Sequence, residues 1–223
     1  MAQTSAAFIY NDMMSRHVLS PSHPMQPTRL RYTYELASSY GVLDSTLLQE
    51  PRLASDTEIS RFHTHPYIDA TRRLSQGDKT LQPSLFGFGP GDNPVYAGMY
   101  DAAILSTGGS MKGIDLLLSG QVNVAFNISG GLHHAMPTYT SGFCIFNDPV
   151  IAIMELLRQG KKVAYVDIDC HHGDGVQHAF YDTNDVLTIS LHESGEFLFP
   201  GTGFTQEIGT GFGQGYSVNV PLF

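Results

Sequence analysis

Three short apolar segments, each followed by a polar motif, constrain the fold of this chain most strongly. They are VNVAFNI at 122–128, KVAYVDI at 162–168 and VLTISL at 186–191, and helical patterns separate them. Strands that are apolar on both faces and alternate with helices are typical of a parallel sheet with helices on both sides. We therefore predict an α/β fold, a three-layer sandwich around a central parallel sheet, with a binding site beyond the carboxyl ends of the strands.

Helices and one further strand complete this pattern. Helices are predicted at 28–40, at 97–119 with an interruption at Gly108-Gly109, from Asn147 or Asp148 to Gly160, and near 175–181. The last segment, YSVNVPLF at 216–223, is predicted to be a strand with no turn or helix after it. A parallel sheet that stops in mid-course suggests a single domain over residues 1–223 that is incomplete at its C-terminal side.

Charge and composition narrow the classes of function. The chain has 12 basic and 21 acidic residues, a net charge of -9, which disfavours direct binding to nucleic acid and is compatible with a cationic substrate. No apolar run approaches the roughly 18 residues of a membrane span, and the first residues lack the features of a secretory signal. Two cysteines cannot form a disulfide framework, so we expect a protein of the reducing cytoplasm.

The run from Tyr165 to Gly175, YVDIDCHHGDG, is the strongest chemical signal. Alternate residues of an extended chain share a face, so Asp167, Asp169 and His171 are predicted to project together. Such a group is costly unless its members bind a cation or pair with each other, and Asp169 and His171 supply the oxygen and nitrogen donors that suit zinc. Solvated polar residues at a strand end would explain a single Asp-x-His, but not two carboxylates, two histidines and a Gly-Asp-Gly turn.

The loop SGGLHHAM at 129–136, which directly follows the first predicted strand, is the second signal. Its adjacent residues His133 and His134 are placed to bring two imidazole rings to one substrate atom. Histidine exchanges a proton near neutral pH, and a carboxylate partner such as Asp167 or Asp174 raises its basicity. A His-His pair alone is often a surface feature, but its position at the end of a predicted strand favours a general acid–base role.

Six segments of the chain, in order, resemble the signature of the zinc-dependent histone deacetylases of the class I type. They are HPMQPTR at 23–29, GGLHH at 130–134, SGFCIFND at 141–148, DIDCHHGDG at 167–175, FPGTG at 199–203 and YSVNVP at 216–221. The resemblance spans nearly the whole chain, and several motifs in register are more specific than any one of them. The segment 86–110 most resembles the bacterial acetoin-utilisation branch of that family.

The resemblance implies the arginase/deacetylase fold and a catalytic zinc ion with three protein ligands and an open position for water. Asp169 and His171 match the first two of those ligands. The third ligand, an aspartate, and the catalytic tyrosine of the family are expected beyond Phe223. Iron(II) suits similar ligands, so the identity of the resident metal stays open.

The resemblance also implies roles in catalysis and substrate binding. His133 and His134 match the tandem general acid–base histidines. Asp167 and Asp174 match the carboxylates that support these two histidines. The substrate-binding matches are Phe143 and Phe199 as walls of the acyl-lysine tunnel, Gly142 beside them, Asp92 at the rim and Arg29 near the channel for released acetate.

Further matches concern structural cations, and the remaining histidines and cysteines are assigned from the sequence. Two family sites for a monovalent cation, K⁺ or Na⁺, match Asp167, Asp169, His171, Ser190 and Leu191, and Phe180, Thr183, Val186 and Tyr216. Four other histidines are interpreted as structural or surface residues, namely His63, His65, His178 and His192. Cys144 is expected to face the site, whereas Cys170 is expected to point to the opposite side of its strand.

The implied activity is hydrolysis of the acetyl amide of N-ε-acetyl-lysine in an acetylated protein or peptide, with release of acetate. The alternatives are an acetylpolyamine amidohydrolase and a non-catalytic reader of acyl-lysine, although a reader has no need of a proton-transfer pair. The related arginase type binds two manganese ions through an Asp-x-His-x-Asp run, and here Gly173 replaces the carboxylate that a second metal requires. The natural substrate and the oligomeric state stay open.

Overall fold

A computed structural model describes residues 5–16 and 18–223 of the chain. The chain divides into two compact units, Met1–Ala152 and Ile153–Phe223. The helix α5, Asp148–Arg158, contains the boundary between them. No helix within the described residues is long and apolar enough to cross a membrane.

The first unit contains a three-stranded parallel sheet and four of the helices. Its strands are β1, Ala6–Ile9, β2, Leu47–Gln49, and β3, Val124–Asn127, in the order β2-β1-β3. The helices are α1, Thr28–Ser39, α2, Asp56–Ile59, α3, His65–Ser75, and α4, Met99–Leu118. The strand β3 and the helices α1 and α4 confirm three predicted elements to within two residues at each end.

The helix α4 runs without a break through the two glycines that were expected to interrupt it. Both glycines are sites of close approach. A Cβ atom on Gly108 would overlap the carbonyl oxygen of Arg52, and one on Gly109 would lie 2.7 Å from Oδ1 of Asn127. The prediction of an interruption is therefore wrong, because these glycines admit neighbouring chain segments against the helix rather than end it.

The core of the first unit is built around buried aromatic rings. Tyr67 and Phe146 pack edge to face with ring centroids 6.0 Å apart, and both side chains are fully buried. The Tyr67 hydroxyl donates a hydrogen bond of 2.7 Å to the carbonyl oxygen of Ile145. Edge-to-face aromatic pairs contribute about 0.5–1.5 kcal/mol beyond the area that they bury. This packing fixes the chain just before α5, whose first residues bond to the backbone of the loop at 129–136.

The second unit contains the other parallel sheet. Its strands are β4, Val163–Asp167, β5, Val186–Glu193, and β6, Ser217–Leu222, in the order β4-β5-β6. The helix α6, Asp174–Phe180, connects β4 to β5. All three strands, α5 and α6 lie where the sequence predicts them, and the α/β class with parallel strands is confirmed. That the two units together form one domain stays a prediction.

The expectation that the strands are apolar and buried on both faces is wrong for most of them. Phe126 on β3 is 53% exposed and Val166 on β4 is 57% exposed. Val218 and Val220 on β6 are exposed as well. Within the described residues, helices cover these positions incompletely, so Val- and Ile-rich composition identified the strands correctly but overestimated their burial.

Candidate active site

The two adjacent histidines of the first unit form a buried hydrogen-bonded pair. Nε2 of His133 lies 3.1 Å from Nε2 of His134, and the ring centroids are 4.1 Å apart. The side chains are only 5% and 4% exposed. Two imidazole nitrogens at this distance are within hydrogen-bonding range, and either ring can donate or accept, so the pair can hold a proton between its two rings.

Asn147 and Asp148, at the start of α5, hold the backbone of this pair in place. The Asn147 amide donates hydrogen bonds of 3.0 Å to the carbonyl oxygens of His133 and Ala135. Asp148 Oδ1 accepts a hydrogen bond of 2.8 Å from the backbone N–H of Leu132. From the sequence, these two residues were predicted only to begin a helix. Their place at the end of the SGFCIFND motif was the available signal for a further role.

Burial also acts on the Asp148 carboxyl. Because the side chain is removed from water, the pKa of Asp148 is raised, and hydrogen bonds from the Ser110 hydroxyl and from the backbone of Leu132 and Gly131 act in the opposite direction. The Ser110 hydroxyl donates to Oδ2, which also accepts from the backbone N–H of Gly131 at 3.2 Å. The carboxyl group thus ties α4 to the glycine loop that precedes the histidine pair.

Gly142 lies directly against the second histidine of the pair. Its φ is +52°, and a Cβ atom there would overlap the Cδ2 atom of the His134 ring. Only glycine meets both requirements at low cost, the left-handed backbone and the absence of a side chain. The structure therefore brings two sequence-predicted site residues, Gly142 and His134, into contact.

Phe143 adopts a left-handed backbone conformation, with a φ of +71°, which is uncommon in a residue other than glycine. Its N–H donates a hydrogen bond of 2.9 Å to Oδ1 of Asn93, and its ring meets the edge of the His23 ring at a centroid distance of 4.7 Å. Nε2 of His23 donates in turn to the carbonyl oxygen of Asp92 at 3.1 Å. Left-handed residues with a large side chain concentrate at functional sites. Asn93 was missed by the sequence analysis, since its partner is 50 residues away.

Arg29 lies in the first turn of α1, at a mainly apolar cavity of about 620 Å³ that includes its open mouth. Tyr96 and Phe143 also line this cavity. Burial raises the pKa of Tyr96 to about 12, so its hydroxyl stays neutral at physiological pH. The structure thus brings Arg29 and Phe143 to one cavity, whereas the Asp92 side chain is exposed to solvent.

The predicted metal-binding residues of the second unit lie in a loop rather than along a strand. The strand β4 ends at Asp167, whose Oδ1 accepts a hydrogen bond of 3.0 Å from the N–H of Asp169. Oδ1 of Asp169 accepts one of 2.8 Å from the N–H of His171. The sequence analysis placed these side chains together by strand alternation, and that reason is wrong. Each carboxylate caps the backbone two residues further on, as aspartate does in tight turns.

The Asp169 and His171 side chains fit a zinc ion. Oδ1 of Asp169 and Nδ1 of His171 lie 3.0 Å apart, and two donors at zinc-bond lengths on a tetrahedral ion would be about 3.3 Å apart. Sγ of Cys170 lies 3.2 Å from the same Nδ1 and belongs to the same group of donor atoms. The expectation that Cys170 points away from its neighbours is therefore wrong, because the strand has ended before it.

Two further predicted residues flank this loop. Asp174 begins α6, and its Oδ1 accepts a hydrogen bond of 3.0 Å from the N–H of Gly175. The Phe199 ring is 45% exposed and faces the His171 ring at a centroid distance of 6.2 Å. Phe199 is therefore beside the expected zinc ligand. The support of the histidine pair by Asp167 and Asp174 stays a prediction.

The residues matched to structural cations all lie in the second unit. Asp167 and Ser190 are direct neighbours across β4 and β5. The Ser190 hydroxyl is hydrogen-bonded to Nδ1 of His192 at 2.8 Å. The carbonyl oxygen of Tyr216 accepts a hydrogen bond of 2.9 Å from the N–H of Thr188. Both assignments of a monovalent cation stay predictions. The other matched residues lie on β5, at the end of α6 or just after it: Leu191, Val186, Phe180 and Thr183.

The other four histidines agree with their assignment as structural or surface residues. His63 and His192 are each 1% exposed, whereas His65 and His178 are exposed to solvent. Nε2 of His63 accepts a hydrogen bond of 2.9 Å from the N–H of Asn147, and its Nδ1 donates one of 3.0 Å to the carbonyl oxygen of Met136. Burial lowers the pKa of His63 to about 3.

Parallel strands whose ends carry a histidine pair and an Asp-His donor pair define an α/β protein of the arginase/deacetylase fold. A crystal structure of an HDAC homolog from Aquifex aeolicus matches with a TM-score of 0.89 and 35% identity, over 98% of this chain and 59% of that one. A crystal structure of an HDAC homolog complexed with SAHA matches with a TM-score of 0.87 and 36% identity, over 99% of this chain and 59% of that one. The histone deacetylase domain model matches residues 23–223.

The chain belongs to the histone deacetylase family. It is 43% identical to the acetoin utilization protein AcuC of Bacillus subtilis, over 97% of this chain and 57% of the relative. It is also 43% identical to histone deacetylase RPD3 of Saccharomyces cerevisiae, over 97% of this chain and 50% of the relative. Human histone deacetylase 1 is 40% identical, over 100% of this chain and 47% of the relative. The chain thus spans about half the length of the curated relatives that it matches.

Proposed function

We propose that this protein is a zinc-dependent lysine deacetylase, which hydrolyses the acetyl amide of N-ε-acetyl-lysine in proteins or peptides and releases acetate. The observation that carries the proposal is the buried His133–His134 pair, held at 3.1 Å by a turn whose backbone is fixed on both sides. A module that only binds acyl-lysine has no use for such a proton-holding pair. Family membership supplies the reaction class.

Asp169 and His171 are the residues of this chain that would hold the zinc ion. Zinc, when bound, supplies polarisation of the acetyl carbonyl and lowers the pKa of a bound water toward about 7. Cys170 is a third donor in the same loop, and iron(II) is the alternative metal.

The histidine pair moves the protons of the reaction. One Nε2 atom of the pair takes a proton from the attacking water, and the pair then delivers a proton to the leaving lysine amine. Two nitrogens 3.1 Å apart hold this proton between the two steps. Burial excludes bulk water from the pair, which keeps the proton available for the amine. Asp167 and Asp174 are proposed to support the two rings.

Substrate binding is assigned to the aromatic and rim residues. Phe143 and Phe199 are proposed to enclose the apolar stem of acetyl-lysine, which leaves charged groups outside the tunnel. Gly142 keeps the space beside His134 open, and Asp92 at the rim is proposed to hold the substrate backbone. Arg29 lies at the cavity that would receive the released acetate.

Four broader assignments are part of the same proposal. Residues of the second unit are proposed to bind K⁺ or Na⁺ as structural cations. A cytoplasmic location and the lack of direct nucleic-acid binding stay predictions from the composition of the chain. The single domain stays a prediction from its length and strand pattern.

The test is hydrolysis of an acetyl-lysine peptide by the full-length gene product, with and without a chelator, beside a His134→Ala variant. We expect zinc-restorable activity that the variant loses by roughly a hundred-fold or more, because general acid–base catalysis contributes about 10²–10⁴-fold. The matched control is His65→Ala, which removes an exposed histidine and should keep full activity. Cleavage of acetylpolyamines alone would assign the protein to that sibling activity, and no cleavage of either substrate would leave a binding module.

A further inference from the structure

The side chain of Gln177 on α6 is the centre of a polar network that the proposed reaction does not use. Its Oε1 accepts hydrogen bonds from Ser217 Oγ at 2.8 Å, Asn219 Nδ2 at 2.7 Å and His172 Nε2 at 3.2 Å. Its Nε2 donates at 2.6 Å to Oε2 of Glu207. An amide oxygen only accepts and an amide nitrogen only donates, so these four contacts fix the orientation of the amide.

The other end of Glu207 holds a segment of backbone. Its Oε1 accepts hydrogen bonds of 3.0 Å from the N–H groups of both Gly203 and Phe204. Since Nε2 of His172 carries the proton, its Nδ1 accepts the Thr202 hydroxyl at 2.8 Å. Three consecutive residues, 202–204, are therefore held by the side chains of His172 and Glu207.

Gly203 shows how tightly this segment is held. Its φ is +86°, and a Cβ atom there would lie 2.7 Å from Cγ of His172 and would overlap the ring of His192. Nε2 of His192 donates a hydrogen bond of 2.9 Å to the carbonyl oxygen of Gly203. Two buried imidazole rings, 4.8 Å apart between centroids, form the surface on which the segment lies.

The segment 202–204 is the end of the loop that carries Phe199, residues 194–204, which we call the Phe199 loop. His172 belongs to the loop at 168–173 that carries the expected zinc ligands, which we call the metal loop. We propose that Gln177 and Glu207 are positioning residues, which join these two loops and so keep Phe199 at its place beside His171. This inference rests on the proposed function, since it assigns Phe199 to the tunnel.

Charged hydrogen bonds explain why this pair of residues should matter. Glu207 accepts three hydrogen bonds as a carboxylate, and hydrogen bonds to a charged group are stronger than those between neutral groups. The Gln177 amide in the opposite orientation would bring its nitrogen against three donors, so the network has no equivalent second arrangement. The Phe199 loop is thereby held in one position rather than several.

The pairing of an amide with a carboxylate allows a matched exchange of the two groups. Gln177→Glu would place two carboxylates face to face, and Glu207→Gln would place two amide nitrogens face to face. The double variant Q177E/E207Q restores a donor opposite an acceptor. It also keeps an oxygen for Ser217, Asn219 and His172 at one end and for the backbone of 203–204 at the other.

The experiment measures two quantities on the full-length protein and these three variants: backbone amide exchange at Gly203 and Phe204, and KM and kcat for an acetyl-lysine peptide. We expect faster exchange in each single variant and a KM raised roughly ten-fold, or about 1.4 kcal/mol, with kcat changed much less. Both quantities should return toward the wild-type values in the double variant. A general loss of folded protein would instead lower the apparent kcat at constant KM.

Two results would overturn the inference. One is wild-type exchange and KM in the single variants, and the other is a double variant as impaired as the sum of the two singles. If a single variant fails to fold, the folded double variant still decides the matter by its exchange and KM. Failure of the proposed function is distinguishable, because a wild-type protein without deacetylase activity would still report the network through amide exchange.

Discussion

At the scale of single residues, the proposed chemistry depends on residues that position the histidine pair. Asn147 is fully buried, and its amide donates hydrogen bonds to the carbonyl oxygens of His133 and Ala135. Asp148 accepts a hydrogen bond from the backbone of Leu132, and Gly142 lies directly against the His134 ring. The position of the pair is therefore set by its neighbours, and changing them should affect catalysis without changing the reacting groups.

Replacing Asn147 by alanine tests this dependence. The change leaves two buried carbonyl oxygens without their donor, so we expect a loss of stability of roughly 2–4 kcal/mol. We also expect a fall in kcat of roughly ten- to a hundred-fold, since small displacements of catalytic groups are costly. Urea denaturation and steady-state kinetics measure the two effects. Asn123→Ala, at an exposed position, is the control and should cost less than about 1 kcal/mol. Equal effects in both variants would contradict the role of Asn147.

Replacing Gly142 by alanine tests the contact with His134. The added methyl group would overlap the imidazole ring, so we expect kcat to fall by roughly a hundred-fold as the ring is displaced. The control is Gly120→Ala, which has a similar φ of +69° and open space around its Cβ position. It should cost about 1 kcal/mol of stability from the backbone alone and leave kcat unchanged. An active Gly142→Ala protein would show that His134 needs no such clearance.

At the scale of elements, His63 connects the turn before α3 to the start of α5 and to the loop at Met136. Its folded-state pKa is about 3, and the unfolded value is about 6.5. Between these pH values the unfolded chain binds a proton that the folded chain excludes. The stability that His63 contributes is therefore fully present above about pH 6.5 and is lost as the pH falls toward 3.

The corresponding prediction compares the pH dependence of two variants. Between pH 7 and pH 5, protonation of His63 in the unfolded chain lowers the free energy of unfolding by about 2 kcal/mol. His63→Gln has no titrating group at this position, so its free energy of unfolding should fall less over the same interval, whatever its value at pH 7. His65→Gln changes an exposed histidine and should retain the wild-type slope. Urea midpoints measured at pH 7, 6 and 5 would decide, and parallel slopes for all three proteins would contradict the account.

The elements also show what the sequence could and could not predict. The strands β3 to β6 are found by their Val- and Ile-rich composition, and glycines mark the ends of α1 and α5. The strands β1 and β2 were not predicted, since four and three residues are too few to show a period. The helix α2 was also missed, although Ser55 and Glu58 form a capping box that was there to be read.

At the scale of the whole molecule, the residues of the proposed site could be chosen from the sequence, and most of the residues that support them could not. The histidine pair and the Asp169–His171 pair were found because polar motifs follow apolar strands. The supports of the site residues, such as Asn93 and Gln177, come from distant parts of the chain, and only folding brings them together. Strand alternation grouped the proposed metal-binding residues for the wrong reason, because aspartate-capped turns follow β4.

The central claim is that one pair of residues holds zinc and another pair moves protons. The most direct measurement is bound zinc and acetyl-lysine hydrolysis in the same samples of the full-length protein, His171→Ala and His134→Ala. We predict that His171→Ala loses both the zinc and the activity, whereas His134→Ala keeps the zinc and loses the activity. Full zinc and activity in His171→Ala, or full activity in His134→Ala, would contradict this division of roles.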